Sequence, residues 1–460
     1  MWIPTKLCLL LRQLNPSRFT KMSKHTCHHS SLCFSPSVHA AATGYKRPGE
    51  RQRVAATKSN IRIFSGKDKL FLDGDSRVFP APLILPGDDL AGDAEESQSF
   101  QAWLDGETRN PVTAKKKTIY MVSSPQIEPG LAFVREWTNP KGSTNEPQTE
   151  APSTEDIKEY LAAFYHGLPV KMMPPSALSI MPWEKTRKRT RKPISREQYL
   201  GLNIGDECVR IRARTCPDGV YGGQLNLDDL LDAAISILPK DAYALILLVD
   251  FDLYEDEDDE FVCGRAYGGS RVAVVSSARY NPSLDDIQQI ERIHAWPASH
   301  CVEYISSCVS AEPVLKKHKT RVDSKAMHKS MPTLDGPMKD AVLAYQDLPD
   351  VGSTPSLMYA LWLGRMCRTA SHELGHCFGI AHCVYYACSM QGTASICEDA
   401  RQPAYLCPVD LTKLLHATGS SASERYEALL AFCERPKNID THFFGPFAAW
   451  IRNRLRLSEE

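Results

Sequence analysis

The chain has 460 residues, and its 54 basic and 55 acidic side chains leave a formal net charge of -1. That balance excludes a globally basic nucleic-acid binder and a polyacidic chain, while 43% hydrophobic and 24% charged residues allow a sizeable core. Fifteen cysteines is an odd number, which excludes a fully paired disulfide set within one chain.

Residues 1 to about 75 are polar, basic and weakly periodic, and read as a disordered tail with no core of its own. The apolar run Leu7 to Leu11 ends at Arg12, short of a secretory core of roughly 7–15 residues. No acid precedes Glu50, whereas Lys6, Arg12, Arg18, Lys21 and Lys24 do, a composition compatible with a mitochondrial transit peptide. The favoured expectation is a tail, with Met22 as an alternative start, on a cytoplasmic or nuclear protein. No run reaches the roughly 18 apolar residues of a membrane helix.

One folded domain is expected over 76–460, with polar insertions near 173–205 and 309–350. Thr118 to Val122 reads as a strand, Asp156 to Tyr165 as a helix stopped by Gly167, and Leu168 to Met172 as an edge strand. Six cations fall among the eight residues Lys185 to Lys192; with no interleaved aromatics they read as a solvated loop ahead of a nuclear import signal or a phosphate-binding strip. Leu227 to Leu238 has helical spacing, and Ala242 to Val249 is a continuous apolar strand of the kind buried inside a sheet. From Asp250 to Glu260 there are eight acids in eleven positions, but Tyr254, Glu255 and Phe261 spoil a calcium loop. Two strands, Phe261 to Tyr267 and Arg271 to Ser276, flank Gly268-Gly269-Ser270. A long helix is expected from Ser356 onward, and two more over Ser421 to Cys433 and Pro446 to Leu455.

The long helix ends in His372-Glu373-Leu374-Gly375-His376-Cys377-Phe378-Gly379-Ile380-Ala381-His382. At 3.6 residues per turn His372 and His376 project from one face, so both imidazoles reach one metal. Glu373 lies between them, near a metal-bound water without being a ligand. Gly379 permits a left-handed turn that brings His382 back as a third ligand. Three imidazoles leave one tetrahedral position of Zn²⁺ open, the layout of a catalytic site. In a chain of this composition the whole pattern arises by chance with a probability of roughly 4 × 10⁻⁵. Leu374 and Phe378, on the opposite side, are expected to anchor the helix in the core, and Cys377 to pack there.

A second donor set follows: Cys383, Cys388, Cys407 and Asp410 suit a closed, structural zinc site. Cys397 is an alternative fourth ligand. Free core cysteines are the competing explanation, against which the short loop spacing and the flanking Pro403 and Pro408 argue.

On these residues the chain resembles the metzincins, and more narrowly the archaemetzincin family of zinc metallopeptidases. The family joins the long histidine motif to a Cys directly after the third His, a Cys-x-Met and a later Cys-x-x-Cys. Here these are His382-Cys383, Cys388-Ser389-Met390 and Cys407-Pro408-Val409-Asp410, with Asp410 where the family carries its fourth cysteine. Carboxylate is a harder donor than thiolate, which bears on the second site's affinity. The resemblance makes Met390 the methionine of a Met-turn beneath the metal, and also takes in Asp250 to Tyr254 and Ser277 to Tyr280. It covers about Tyr221 to Leu415. It implies an α/β fold, a twisted mixed sheet with the motif helix below the cleft and an irregular or helical C-terminal part. It further implies a zinc metallopeptidase acting on peptides or proteins, with Glu373 as general base and two zinc ions, one catalytic and one structural. The alternative is a catalytically silent zinc scaffold that works through protein partners. Nucleic acid is the weakest partner, given the net charge.

Overall fold

A computed structural model describes residues 27, 29, 31–58, 66–72, 78–88, 96–107, 109–141, 149–183, 198–310, 336–350 and 354–457. Eleven strands lie in chain order: β1 (Thr118–Val122), β2 (Gln126–Ile127), β3 (Val170–Met172), β4 (Leu178–Pro182), β5 (Gln198–Ile204), β6 (Glu207–Arg214), β7 (Gln224–Asn226), β8 (Ala242–Val249), β9 (Asp252–Tyr254), β10 (Gly264–Tyr267) and β11 (Val272–Ser276). They form two mixed sheets, ordered β10-β11-β8-β1-β3 and β2-β4-β5-β6-β7-β9. In the first sheet β3, β1, β8 and β11 run parallel, and only the edge strand β10 is antiparallel.

β8 is buried at every position because both faces of its sheet are covered. Its side chains alternate between two cores. Leu245, Leu247 and Val249 face the second sheet and the helix Leu227–Ser236, whereas Ala244, Ile246 and Leu248 face the motif helix and the C-terminal helices. The α/β class expected from the sequence is the observed one.

The motif helix, Pro355–Cys377, starts on the Thr354 side chain and a proline in its first turn, both suited to a helix N-terminus. At 23 residues it is about 34 Å long. It is docked by a row of side chains on one face. Trp362 Nε1 donates to the Ser277 carbonyl (2.8 Å), Arg365 pairs with Asp285 (2.7 Å), and Thr369 Oγ1 donates to Tyr280 Oη (2.8 Å). Leu374 and Phe378 lie fully in the core, as their spacing predicts.

Three expectations need correction. The tail expected over residues 1–75 is packed along much of its described part: short helices Val38–Ala42 and Glu50–Ala56 flank a strap in which Tyr45 Oη donates to the Val384 carbonyl (2.9 Å) and Arg47 Nε to that of Tyr385 (3.1 Å). Side-chain bonds to another segment's backbone leave no hydrophobic period in a sequence. The polar insertion near 173–205 contains β4 and β5, which pair antiparallel in the second sheet; the cation run 185–192 between them lies outside the described residues. The insertion near 309–350 contains the helix Pro337–Gln346, whose Met338, Ala341 and Val342 are buried where it packs on Phe444–Arg456.

Candidate metal centre

The motif helix stops where Gly379 takes φ +75°, a left-handed turn that glycine adopts without cost. The turn folds the chain back, so the rings of His372, His376 and His382 converge with centroids 4.7–5.3 Å apart. His372 Nδ1 lies 2.7 Å from the Ser389 carbonyl oxygen and His376 Nδ1 lies 2.8 Å from that of Ile380. A carbonyl can only accept, so each Nδ1 carries the proton and each Nε2 presents a lone pair. Those two Nε2 atoms face each other at 3.1 Å. Ligands on a tetrahedral zinc with bonds of about 2.0–2.1 Å are separated by about 3.3 Å, so the donor set fits one such ion. Burial, reinforced by the neighbouring histidine, lowers His372 to about 3, and burial drives His376 well below its usual range. Both are neutral near pH 7, the form that ligates.

Glu373 is half-buried between the two histidines. Burial lifts its carboxyl to about 7, against the opposing pull of His382 and Arg265. Arg265 belongs to β10, the antiparallel edge strand that packs against the motif helix.

The second donor set is assembled directly behind the first. Cys383, Cys388, Cys407 and Asp410 are all buried, with their ligating atoms within 4.8 Å of one another. Cys383 Sγ is 3.5 Å from Cys407 Sγ, and Asp410 Oδ2 is 3.4 Å from Cys388 Sγ and 3.5 Å from Cys407 Sγ. Zinc–sulfur bonds of about 2.3 Å predict sulfur separations of about 3.8 Å, so this set also fits one ion. Backbone N–H groups of Cys407 and Met390 donate to Cys388 Sγ at 3.2 and 3.4 Å, while burial, with Cys383 adding to it, pushes that thiol well above its usual range. Burial opposes ionisation of Cys383, yet bonds from the other two thiols outweigh it and hold its pKa well below the usual range. Burial pushes Asp410 up to about 7, with Cys383 adding to it. Cys397 stands apart, its thiol 3.3 Å from the Gln288 carbonyl, so the structure groups Asp410 and not Cys397 with the three cysteines.

The loop Cys388-Ser389-Met390 joins the two sets. Cys388 belongs to the second, the Ser389 carbonyl orients His372, and Met390 packs so tightly beneath the helix that a Cβ on Gly375 would lie 2.5 Å from its sulfur. Upstream, Asp252 and Arg279 form a buried ion pair (2.6 Å), and Asp218 shares the same guanidinium (2.6 Å). The pair ties the segment Asp250 to Tyr254 to the segment Ser277 to Tyr280.

Several residues of the site escaped the sequence reading. Gln98 Nε2 donates to the Gly379 carbonyl (3.0 Å), and its Oε1 accepts from Ala381 N (3.0 Å), so it clamps the turn between His376 and His382. Lys413 Nζ bonds both Gln98 Oε1 and Asp410 Oδ1, each at 2.9 Å. Gln402 Nε2 shares the Ser389 carbonyl at 3.0 Å. A Lys three residues after Asp410, on the same helix face, was the one available signal.

A helix carrying two histidines and a glutamate, closed by a third histidine after a glycine turn, defines a metallopeptidase-type centre. The comparisons narrow the class. The model of peptidase family M54 matches residues 355–415. Human archaemetzincin-2 is 25% identical over 358 residues, covering 77% of this chain and 74% of that protein. Human archaemetzincin-1 is 26% identical over 218 residues, 46% of this chain and 34% of that one. Among solved structures, the archaemetzincin of Methanopyrus kandleri aligns at 17% identity over 65% of this chain and 95% of its own, with a TM-score of 0.28. A zinc-dependent peptidase from Methanocorpusculum labreanum aligns at 14% identity over 64% and 99%, with a TM-score of 0.30. The chain is thus similar to the archaemetzincins, and its motif segment matches a family of metallopeptidases.

Proposed function

We propose that the chain hydrolyses peptide bonds with one zinc held by His372, His376 and His382, and that a second zinc, held by Cys383, Cys388, Cys407 and Asp410, is structural. The observation that carries the reading is the pair of Nε2 lone pairs facing each other at 3.1 Å with Glu373 between their residues in sequence. Zinc in the three-histidine site supplies Lewis acidity, bringing the pKa of a water toward about 7 and polarising the scissile carbonyl. Glu373, which its partly buried setting keeps basic, takes the proton of the attacking water and returns it to the departing amine. Among the described residues no strand pairs with the outer edge of β10, whose main-chain groups can receive an extended peptide beside the motif helix. Ser389 and Ile380 hold two of the imidazoles through their carbonyls, so the donor geometry does not rely on the metal alone.

The test is digestion of a mixed peptide library by the zinc-loaded chain and by Glu373→Ala, with cleavage read by mass spectrometry. The expected result is cleavage by the wild type and none by the variant, at equal zinc content. Equal cleavage by Glu373→Ala overturns the mechanism. A zinc-loaded wild type that cleaves nothing across the library favours the scaffold.

A further inference from the structure

We propose that Cys27, His29 and His294 form a third cation site, suited to zinc or a similar borderline-soft divalent ion, which fastens the N-terminal segment to the body. Their ligating atoms lie within 4.8 Å of one another, although the segment and His294 are far apart in sequence. One thiolate and two imidazoles are the donors such ions select, and three protein ligands leave a fourth position for water.

The two imidazoles are each placed by their surroundings. His29 has φ +46°, a left-handed conformation that non-glycine residues seldom adopt, and its ring meets that of His294 edge-on with centroids 5.3 Å apart. His294 is 4% exposed and stacks on Tyr304 at 4.0 Å with an interplanar angle of 11°, which fixes its ring plane. Glu291 Oε1 stands 2.9 Å from His294 Nδ1, a carboxylate beside the imidazole. The segment is in register with the body through a bridge between Leu32 and Cys301, where Cys33 N donates to the His300 carbonyl (2.8 Å) and Val302 N to that of Ser31 (3.0 Å). The site lies outside both donor sets described above and shares no residue with them.

A competing tether is present at the same place. Cys301 Sγ is 3.3 Å from Cys27 Sγ, and oxidation of the two thiols would link the same segments. A metal held by Cys27, His29 and His294 does not need Cys301, whereas a disulfide, or a metal held by Cys27, Cys301 and Glu303, does. The experiment therefore measures zinc per chain by elemental analysis in reducing buffer for the full-length wild type, Cys27→Ser and Cys301→Ser. Circular dichroism reports that each variant is folded. Limited proteolysis in buffer without reductant reports release of the N-terminal segment. Cys27→Ser is expected to carry one zinc fewer than the wild type and to release the segment sooner, with Cys301→Ser like the wild type in both respects. Equal zinc in the wild type and Cys27→Ser overturns the proposal. Equal release from both variants with unchanged zinc makes the tether a disulfide and likewise overturns it. The reading is a difference of one equivalent, so it stands or falls independently of peptidase activity.

Discussion

Lys413 Nζ lies 2.9 Å from Asp410 Oδ1, and both side chains are at most 2% exposed. This places a cation beside the one carboxylate of the second donor set. The carboxylate turns Oδ2 toward Cys388 and Cys407 and Oδ1 toward Lys413, so one acid serves the thiol cluster and the lysine together. Removing one partner of a buried pair leaves the other charge uncompensated, at a cost of about 3–5 kcal/mol. Lys413→Met is therefore expected to lower unfolding free energy by that order in urea titrations. Asp410→Ala with Lys413→Met is expected to lose clearly less than the two single losses combined. Additive losses would mean that the two residues act independently.

Gly375 and Met390 form a close contact that leaves no room for a methyl group. A Cβ at Gly375 would sit 2.5 Å from Met390 Sδ and 2.9 Å from its Cε, and Met390 is fully buried. Gly375→Ala is expected to destabilise the fold by about 1–3 kcal/mol through overpacking, read as a lower Tm. It should also weaken metal binding, because Met390 follows the carbonyl that orients His372. Shortening the methionine in the same chain, as Met390→Ala, should recover part of the loss. A Gly375→Ala chain as stable as the wild type would show that the loop yields freely.

His300 gives an acid-sensitive contribution to stability. It is 3% exposed, its Nε2 donates to the Ala81 carbonyl (3.0 Å), and burial, with Arg401 and Arg47 adding to it, lowers it to about 4. An unfolded histidine titrates near about 6.5, so between these values the unfolded chain binds more protons than the folded one. Stability from this residue is complete above the unfolded value and is lost as pH falls toward 4. The span corresponds to about 3 kcal/mol. In denaturant titrations from pH 7 to 4, His300→Gln should show a shallower decline than the wild type. Parallel profiles would remove His300 from the acid response.

The legible and illegible parts of the fold differ in physical kind. β8 and the motif helix could be read because one is a continuous apolar run and the other carries a helical repeat, and β1 because its short apolar run is bounded by Ser123-Ser124-Pro125. The histidine motif could be read because helical geometry alone brings its first two ligands together. The helix Pro337–Gln346 was hidden because its buried face is narrow, carried by Pro337, Met338, Ala341 and Val342 within a polar stretch. The strap around Tyr45 and Arg47 was hidden because its bonds end on backbone carbonyls, which every residue has. The same holds for Ser389, which acts on His372 through its carbonyl rather than its hydroxyl.

Gln98 is the link through which the second donor set reaches the first. Its amide nitrogen holds the Gly379 carbonyl, and its oxygen accepts from Ala381 N and from Lys413, which is in turn paired to Asp410. Gln98→Leu keeps the size of the side chain and removes all three bonds, leaving the Gly379 carbonyl, the Ala381 amide and the Lys413 ammonium without this partner. Loss of a residue that orients metal ligands costs about 10–100-fold in affinity. The expected outcome is a drop of that size in zinc affinity at the three-histidine site, measured by competition with a chromophoric chelator. The thiol-rich site should retain its ion, because its four donors are untouched. Loss of both ions in Gln98→Leu, with the fold intact by circular dichroism, would show instead that Gln98 supports the second site first and the histidines only through it.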